Sequence, residues 1–347
     1  MNLERVKSIA DTVLYEGYIL YPYRASAVKN QQRFNFGVLV PRSYSEGQGG
    51  SEAFLMRTDC VIEGDQPVID VRVRFLHLVS RDVYKLLEST DGDVAARNSR
   101  FSFVPSLEVG DEVYHTWQEV VEREVAAENV CVRAVVSKPQ QVEFTFDPSQ
   151  AVETLYDAGS QAVGRLVRRQ ESIRGIITIR AESLGAGVAR ISIEIENSTS
   201  LETDCSTRDR TLMHSLVSTH TILSARDGEF VSLFDPGESF VETAAACRNV
   251  GTWPVLAGSE GERNIMLSSP IILYDYPQIA PESGGEFFDG TEIDELLALR
   301  VMTLTDEEKR EMRDLDDRAR QILERTESLP PEHWQKLHGA IRGLKTV

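Results

Sequence analysis

The sequence predicts an α+β protein, in which two β-rich parts with antiparallel, sandwich-like sheets lead into a C-terminal helical segment. Three observations carry this expectation. Ile191, Ile193 and Ile195 alternate with Ser192, Glu194 and Glu196, the period-two pattern of a strand with one buried face. Leu184-Gly185-Ala186-Gly187 reads as a hairpin loop joining that strand to an Ile- and Thr-rich one at Gly175 to Arg180. Thr305-Asp306-Glu307-Glu308 reads as a helix start, with Thr305 placed to cap open N–H groups and Glu308 three residues on, as a capping box requires. A length of 347 residues suits about two domains. The pattern divides into a β-rich part at 1–150, a second at 151–285 and the helical segment at 286–347.

In chain order, Tyr18 to Tyr21 is a short aromatic and aliphatic run stopped by Pro22, and Phe36 to Val40 is a candidate strand ended by Pro41. Gly47 to Gly50 forms a loop, and Val71, Val73, Phe75 and His77 alternate with Arg72, Arg74 and Leu76 as one strand. Trp117 to Val125 fits either helix or strand. Val130 to Val136 and Val142 to Phe146 read as strands, closed by Asp147-Pro148. Gln161 to Arg169 adds a third strand to the Ile-rich pair of the middle region. A helix is expected from Thr207, with Asp209 in its first turn, towards Leu216. Thr219 to Ser224 and Glu229 to Phe234 flank Arg226-Asp227-Gly228, a second hairpin signal. Ile293, Leu296, Leu297 and Leu299 fit a helix over Glu292 to Leu304. The capped helix from Thr305 should run to about Thr326, and a last one follows Pro330-Pro331.

Lys and Arg total 37 against 55 Asp and Glu, a formal net charge of −18. A phosphate backbone repels such a surface, which excludes nonspecific nucleic-acid binding and favours basic partners. The N-terminus lacks a basic start followed by an apolar run, and no apolar stretch approaches the length of a membrane span. Cys60, Cys131, Cys205 and Cys247 are far apart without a C-x-x-C pair, the usage of reduced thiols in a cytoplasmic protein.

No motif spells out a reaction. His214 and His220 are six residues apart, the wrong spacing for one helix face, with Cys205 and Cys247 flanking them; these four are weak candidates for a metal, and none is expected as a cofactor. His333 and His338, five apart on a polar helix, read as core or surface side chains rather than as metal ligands. Cys247 beside Arg248 could be a thiol of lowered pKa, or a small buried apolar residue among Ala244, Ala245 and Ala246. Ser268-Ser269 lacks the G-x-S-x-G elbow, and neither phosphate-binding glycine fingerprint is present.

Candidate interaction residues are easier to find. Tyr21, Tyr23, Arg24 and Arg33 combine aromatic and guanidinium side chains in one segment, the residue types of binding hot spots. Pro270, Pro277 and Pro281 hold Ser268 to Glu282 extended, so that Tyr274 and Tyr276 share one face and Asp275 takes the other. Asp289, Glu292, Asp294 and Glu295 crowd one stretch with Glu286, and Asp314, Asp316 and Asp317 crowd another. Each reads either as a solvated helix face or as a docking surface for a basic partner.

Three stretches carry a resemblance: Tyr18 to Arg42, Cys247-Arg248-Asn249-Val250-Gly251-Thr252-Trp253-Pro254, and Ser268 to Arg310 with its Phe288-Asp289-Gly290-Thr291-Glu292-Ile293-Asp294-Glu295 string. They resemble an uncharacterised bacterial family encoded beside actinobacterial-type, high-affinity nickel–iron hydrogenases. The resemblance implies an accessory or chaperone-like role in hydrogenase maturation or assembly, with hydrogenase subunits or maturation factors as protein partners. It carries over no catalytic residue. Two other readings stand beside it: a metal-dependent enzyme using His214 and His220, and a structural component of a larger assembly.

Overall fold

The structure is a computed structural model, and it describes residues 3–15, 18, 33–87, 101–201, 207–278, 301–315 and 317–328. The described chain is mostly antiparallel β-sheet with helices at both ends, the expected α+β class. Helix α1 is Leu3–Tyr15, followed by the short α2, Arg42–Gly47. Then come β1 Leu55–Glu63, β2 Val68–Leu86, β3 Phe101–Val104, β4 Ser106–Val109, β5 Glu112–His115 and β6 Trp117–Cys131. After α3, Val132–Ser137, run β7 Gln140–Phe146, β8 Ser149–Tyr156, β9 Ala162–Gln170, β10 Ile173–Gly185 and β11 Val188–Asn197. The rest comprises α4 Arg208–Leu212, β12 Val217–Arg226, β13 Glu229–Val231, α5 Val241–Ala245, β14 Trp253–Leu256, β15 Ile265–Ser269, α6 Asp306–Leu315 and α7 Asp317–Glu327.

The strands form a five-stranded sheet in the order β13-β1-β11-β10-β7 and an eight-stranded sheet built around the long β2. Strand β2 pairs with β12 and β9 on one side and with β6 and β3 on the other. The two sheets face each other over a common core. One sheet supplies Cys60, Ile62, Ile177, Ile179, Ile191, Ile193 and Ile195, and the other supplies Ile69, Val71, Val73, Phe75 and Leu223. The alternation along β11 is complete, each buried isoleucine followed by a half-exposed neighbour. Burying each such side chain contributes about 1.5–3 kcal/mol.

The outer face of the eight-stranded sheet carries the helices. Val6, Ile9, Ala10, Val13 and Leu14 recur at helical spacing on α1 and are buried. Val6, Ile9 and Ala10 pack on Ile222, Ile265 and Leu267. Met312 and Leu315 of α6 and Ile322 and Leu323 of α7 cover Leu76, Leu78 and Val217. The capping box is made in both directions: Glu308 N–H donates to Thr305 Oγ1 at 3.2 Å, and Thr305 N–H donates to Glu308 Oε2 at 2.9 Å.

Several expectations are corrected. Strands from either side of residue 150 pair with each other, β1 with β11 and β2 with β9 and β12, so 1–150 and 151–285 interleave in shared sheets. The third middle strand, β9, pairs with β2 and β8 rather than with β10. Arg226-Asp227-Gly228 is not a hairpin but a corner between sheets, because β12 lies in one and β13 pairs with β1 in the other. Gly228 is required there: a Cβ would come within 2.7 Å of Pro67 Cβ. Val130 to Val136 does not stay extended. The strand stops at Cys131 and turns into α3, which buries Val132 and Val135 three residues apart. Phe36 to Val40 makes a single bridge, Leu39 to Leu216. Tyr18 sits buried in a turn after α1. The helix expected to reach Thr326 is divided into α6 and α7, and the one expected at Thr207 is the single turn of α4. Residues 279–300 and 329–347, with the helices expected there, lie outside the described residues apart from the end of the first at Val301.

Candidate functional site

Of the N-terminal interaction candidates, Tyr21, Tyr23 and Arg24 lie outside the described residues, and Arg33 is buried. Its guanidinium lies 3.7 Å from the Trp117 ring centroid and 4.7 Å from that of Phe34. It donates to the carbonyls of Tyr18 at 3.2 Å and Gln118 at 3.3 Å. Arg33 therefore ties the end of α1 to the start of β6, and its burial does not suit an exposed anchor. Asp289, Glu292, Asp294 and Glu295 lie outside the described residues, as does Cys205.

The segment from Ser268 is a strand only as far as Ser269 and then a loop. Tyr276 has a positive φ of 55°, so Tyr274 and Tyr276 do not share a strand face. Tyr276 turns inward against the sandwich core, while Tyr274 is 71% exposed. Asp275 is the clamp that fixes both. Its carboxylate accepts the Leu256 N–H at 2.8 Å and the Ser232 hydroxyl at 2.5 Å, and Tyr276 N–H donates to the Leu256 carbonyl at 2.7 Å. The Ser232 hydroxyl oxygen also accepts the N–H groups of Phe234 and Asp235, at 3.1 and 2.8 Å.

This clamp holds a pair of exposed rings. Phe234, 67% exposed, meets Tyr274 edge-to-face with centroids 5.4 Å apart. Ile272, on the same loop, is 71% exposed, and Trp253 is exposed at the start of β14, paired with Ser269. Large apolar side chains grouped and held in this way mark an interaction surface more than scattered ones do. Tyr274 was among the residues the sequence suggested, and Phe234 was not. Its signal was an aromatic residue immediately before the turn-forming Asp235-Pro236-Gly237.

The described metal candidates, His214, His220 and Cys247, belong to no metal-binding group among the described residues. His214 Nδ1 lies 3.2 Å from the Ser172 carbonyl, and the fully buried His220 has Nδ1 3.0 Å from the Ser218 carbonyl. Each carbonyl can only accept, so Nδ1 carries the proton in both rings. Burial holds the His220 pKa down at about 4, with the Arg74 guanidinium adding to the effect. Among the described residues no three His, Cys, Asp or Glu side chains are grouped to hold a metal ion. Cys247 is half-buried after α5. Burial pushes its thiol up to about 11 and Asp59 adds to this, against Arg190 and Arg57. Of the two readings of Cys247, the thiol of lowered pKa beside Arg248 is thus disfavoured. Arg248 instead donates its backbone N–H to Asp59 at 2.9 Å.

A cleft of about 570 Å³ lies between the β4–β5 hairpin, the far half of β2 and the C-terminal helices. Its charges cancel in a chain. Arg81 donates to Glu119 at 2.9 Å, to the His115 carbonyl at 3.0 Å and to the Leu315 carbonyl at 2.8 Å. Arg168 joins Glu119 at 2.9 Å to Glu153 at 2.8 Å. Tyr114 donates to Glu112, which with burial pushes its hydroxyl up to about 12. Burial raises the Asp314 carboxyl above its ordinary value. The buried end of this seam binds α6 to the sheet. No helix among the described residues is long and apolar enough to cross a membrane. No protein-family model matches the chain, and no curated protein sequence matches it.

Proposed function

We propose that this chain is a non-enzymatic, cytoplasmic accessory factor in the maturation or assembly of a nickel–iron hydrogenase, acting through protein contacts. The resemblance of Tyr18 to Arg42, Cys247 to Pro254 and Ser268 to Arg310 to proteins encoded beside such hydrogenases names the partner class. The observation that supports a contact-based role is the exposed Phe234–Tyr274 pair on a loop fixed by Asp275. Rings presented rigidly lose little conformational freedom when a partner covers them. The 251–254 end of one resembling stretch and the start of another adjoin in the sheet that leads into this loop, since Trp253 pairs with Ser269. The net charge of −18 supports a protein partner over nucleic acid.

The test is affinity capture of the tagged chain at native expression in its host, with the bound proteins identified by mass spectrometry. Hydrogenase subunits or maturation factors are expected in the eluate. Repeated capture without any of them overturns the proposal.

A further inference from the structure

We infer that the Phe234–Tyr274 platform seats a basic, apolar segment of the partner protein: Lys or Arg side chains flanking the apolar ones that cover the rings. The inference rests on the contact-based function proposed above and adds the chemistry of what binds. Three features carry it. The first is the apolar centre, where Phe234, Ile272 and Tyr274 are each two-thirds or more exposed. Covering them removes a large aromatic and aliphatic area from water, the usual source of a binding hot spot.

The second is the rim. Asp235, Glu238 and Glu242 are exposed on the stretch that continues from Phe234, and none is in an ion pair among the described residues. Arg248 is the one cation between residues 232 and 253. Asp275 is committed to the clamp. Arg190 reaches the Ala246 carbonyl at 3.3 Å from β11 but is itself paired with Glu182, so the stretch that follows Phe234 carries a net negative charge beside the apolar centre. A cationic rim on the partner gains attraction and a faster encounter, and an acidic one is repelled.

The third is the whole-chain charge. Two copies at −18 each repel, so a second copy of this chain is a poor occupant for a surface with an acidic rim. Fixed geometry adds to the case. Ser232, Asp275 and the turn in which Ser269 Oγ meets Ile271 hold the rings before any partner arrives.

The experiment uses the full chain and three fluorescent synthetic peptides: alternating leucine and lysine, alternating leucine and glutamate, and alternating serine and lysine. Anisotropy is read against protein concentration at several salt concentrations. The leucine–lysine peptide is expected to bind, and the other two to bind at least about tenfold more weakly, a difference of about 1.4 kcal/mol. The variant Phe234→Ser/Tyr274→Ser should weaken the leucine–lysine peptide by about tenfold or more. Asp235→Asn/Glu238→Gln/Glu242→Gln should weaken it about threefold and flatten its salt dependence. Both variants change exposed side chains, and unchanged melting curves verify their fold.

Equal binding of the serine–lysine peptide, or no loss with the double serine variant, overturns the inference. So does a concentration-dependent dimer that the double serine variant abolishes, because the occupant is then a second copy. Hydrogenase components absent from host capture while the peptide results hold would remove the hydrogenase reading and leave this one. The converse result would remove this one alone.

Discussion

Two aromatic clusters in this chain have opposite fates. Tyr18, Phe34 and Trp117 close around the Arg33 guanidinium and are buried, while Phe234 and Tyr274 meet edge-to-face and remain in water. Both combine rings with neighbouring charge. The difference lies in what the charge is given to do. Arg33 finds backbone carbonyls at Tyr18 and Gln118 and rings on which to stack, so its burial costs little. Beside the Phe234–Tyr274 pair, the Asp275 carboxylate is spent on backbone and hydroxyl donors that hold the loop, while Asp235 stays exposed. One cluster is built to hold α1 against the sheet, and the other is held ready with nothing from the described chain over it.

The contrast can be broken from its buried side. Arg33→Ala should cost about 2–4 kcal/mol, since it empties a buried, stacked position and leaves two carbonyls with one partner fewer. Chemical denaturation measures it, and a loss below about 0.5 kcal/mol would make the cluster incidental. Asp275→Ala should come next, at about 1–3 kcal/mol, because the Leu256 N–H loses its acceptor inside the fold. In that variant hydrogen exchange should speed up at Leu256 and Tyr276 before the sandwich strands respond.

A pH titration sharpens the same comparison. Burial is the main cause that holds His77 and His220 at pKa values of about 4, below the ordinary 6.5. The unfolded chain therefore takes up protons near pH 6.5 that the folded chain refuses until about pH 4. Stability is fully present above pH 6.5 and falls as the pH drops through that window. Between pH 7 and 5.5 the loss should be about 1 kcal/mol for each histidine. The platform has no histidine between residues 232 and 256 or 269 and 278, so binding there should not change over the same range. Equal losses in stability and binding would contradict that separation. The smallest effect on stability belongs to Tyr274→Ala, within about 0.5 kcal/mol by thermal melting, although it should reduce partner capture.

How much of this was legible in the sequence depends on how local the cause was. The capping box from Thr305 to Glu308 is made within four residues, and the β11 alternation is fixed by one strand facing one core; both could be read directly. Helix α1 is equally local, with Val6, Ile9, Ala10, Val13 and Leu14 at helical spacing. Arg226-Asp227-Gly228 looks like any hairpin turn, because the choice between turning back and crossing to the other sheet is made by β1, more than a hundred residues earlier. Arg33 looked like Tyr274 in kind. Its burial is decided by Trp117 and by Gln118, which is 85 residues away. The interaction surface was half visible. Tyr274 lay in a segment marked by prolines, whereas Phe234 joins it only through the Ser232–Asp275 clamp.

The most direct measurement of the central claim is paired capture from the native host, comparing the wild-type chain with Phe234→Ala/Tyr274→Ala at equal expression and counting hydrogenase components by quantitative mass spectrometry. The account predicts hydrogenase subunits or maturation factors with the wild type and a loss of about tenfold or more with the variant, whose melting temperature is unchanged. Equal recovery by both chains would show that the partner binds elsewhere, and recovery by neither would remove the hydrogenase from the account.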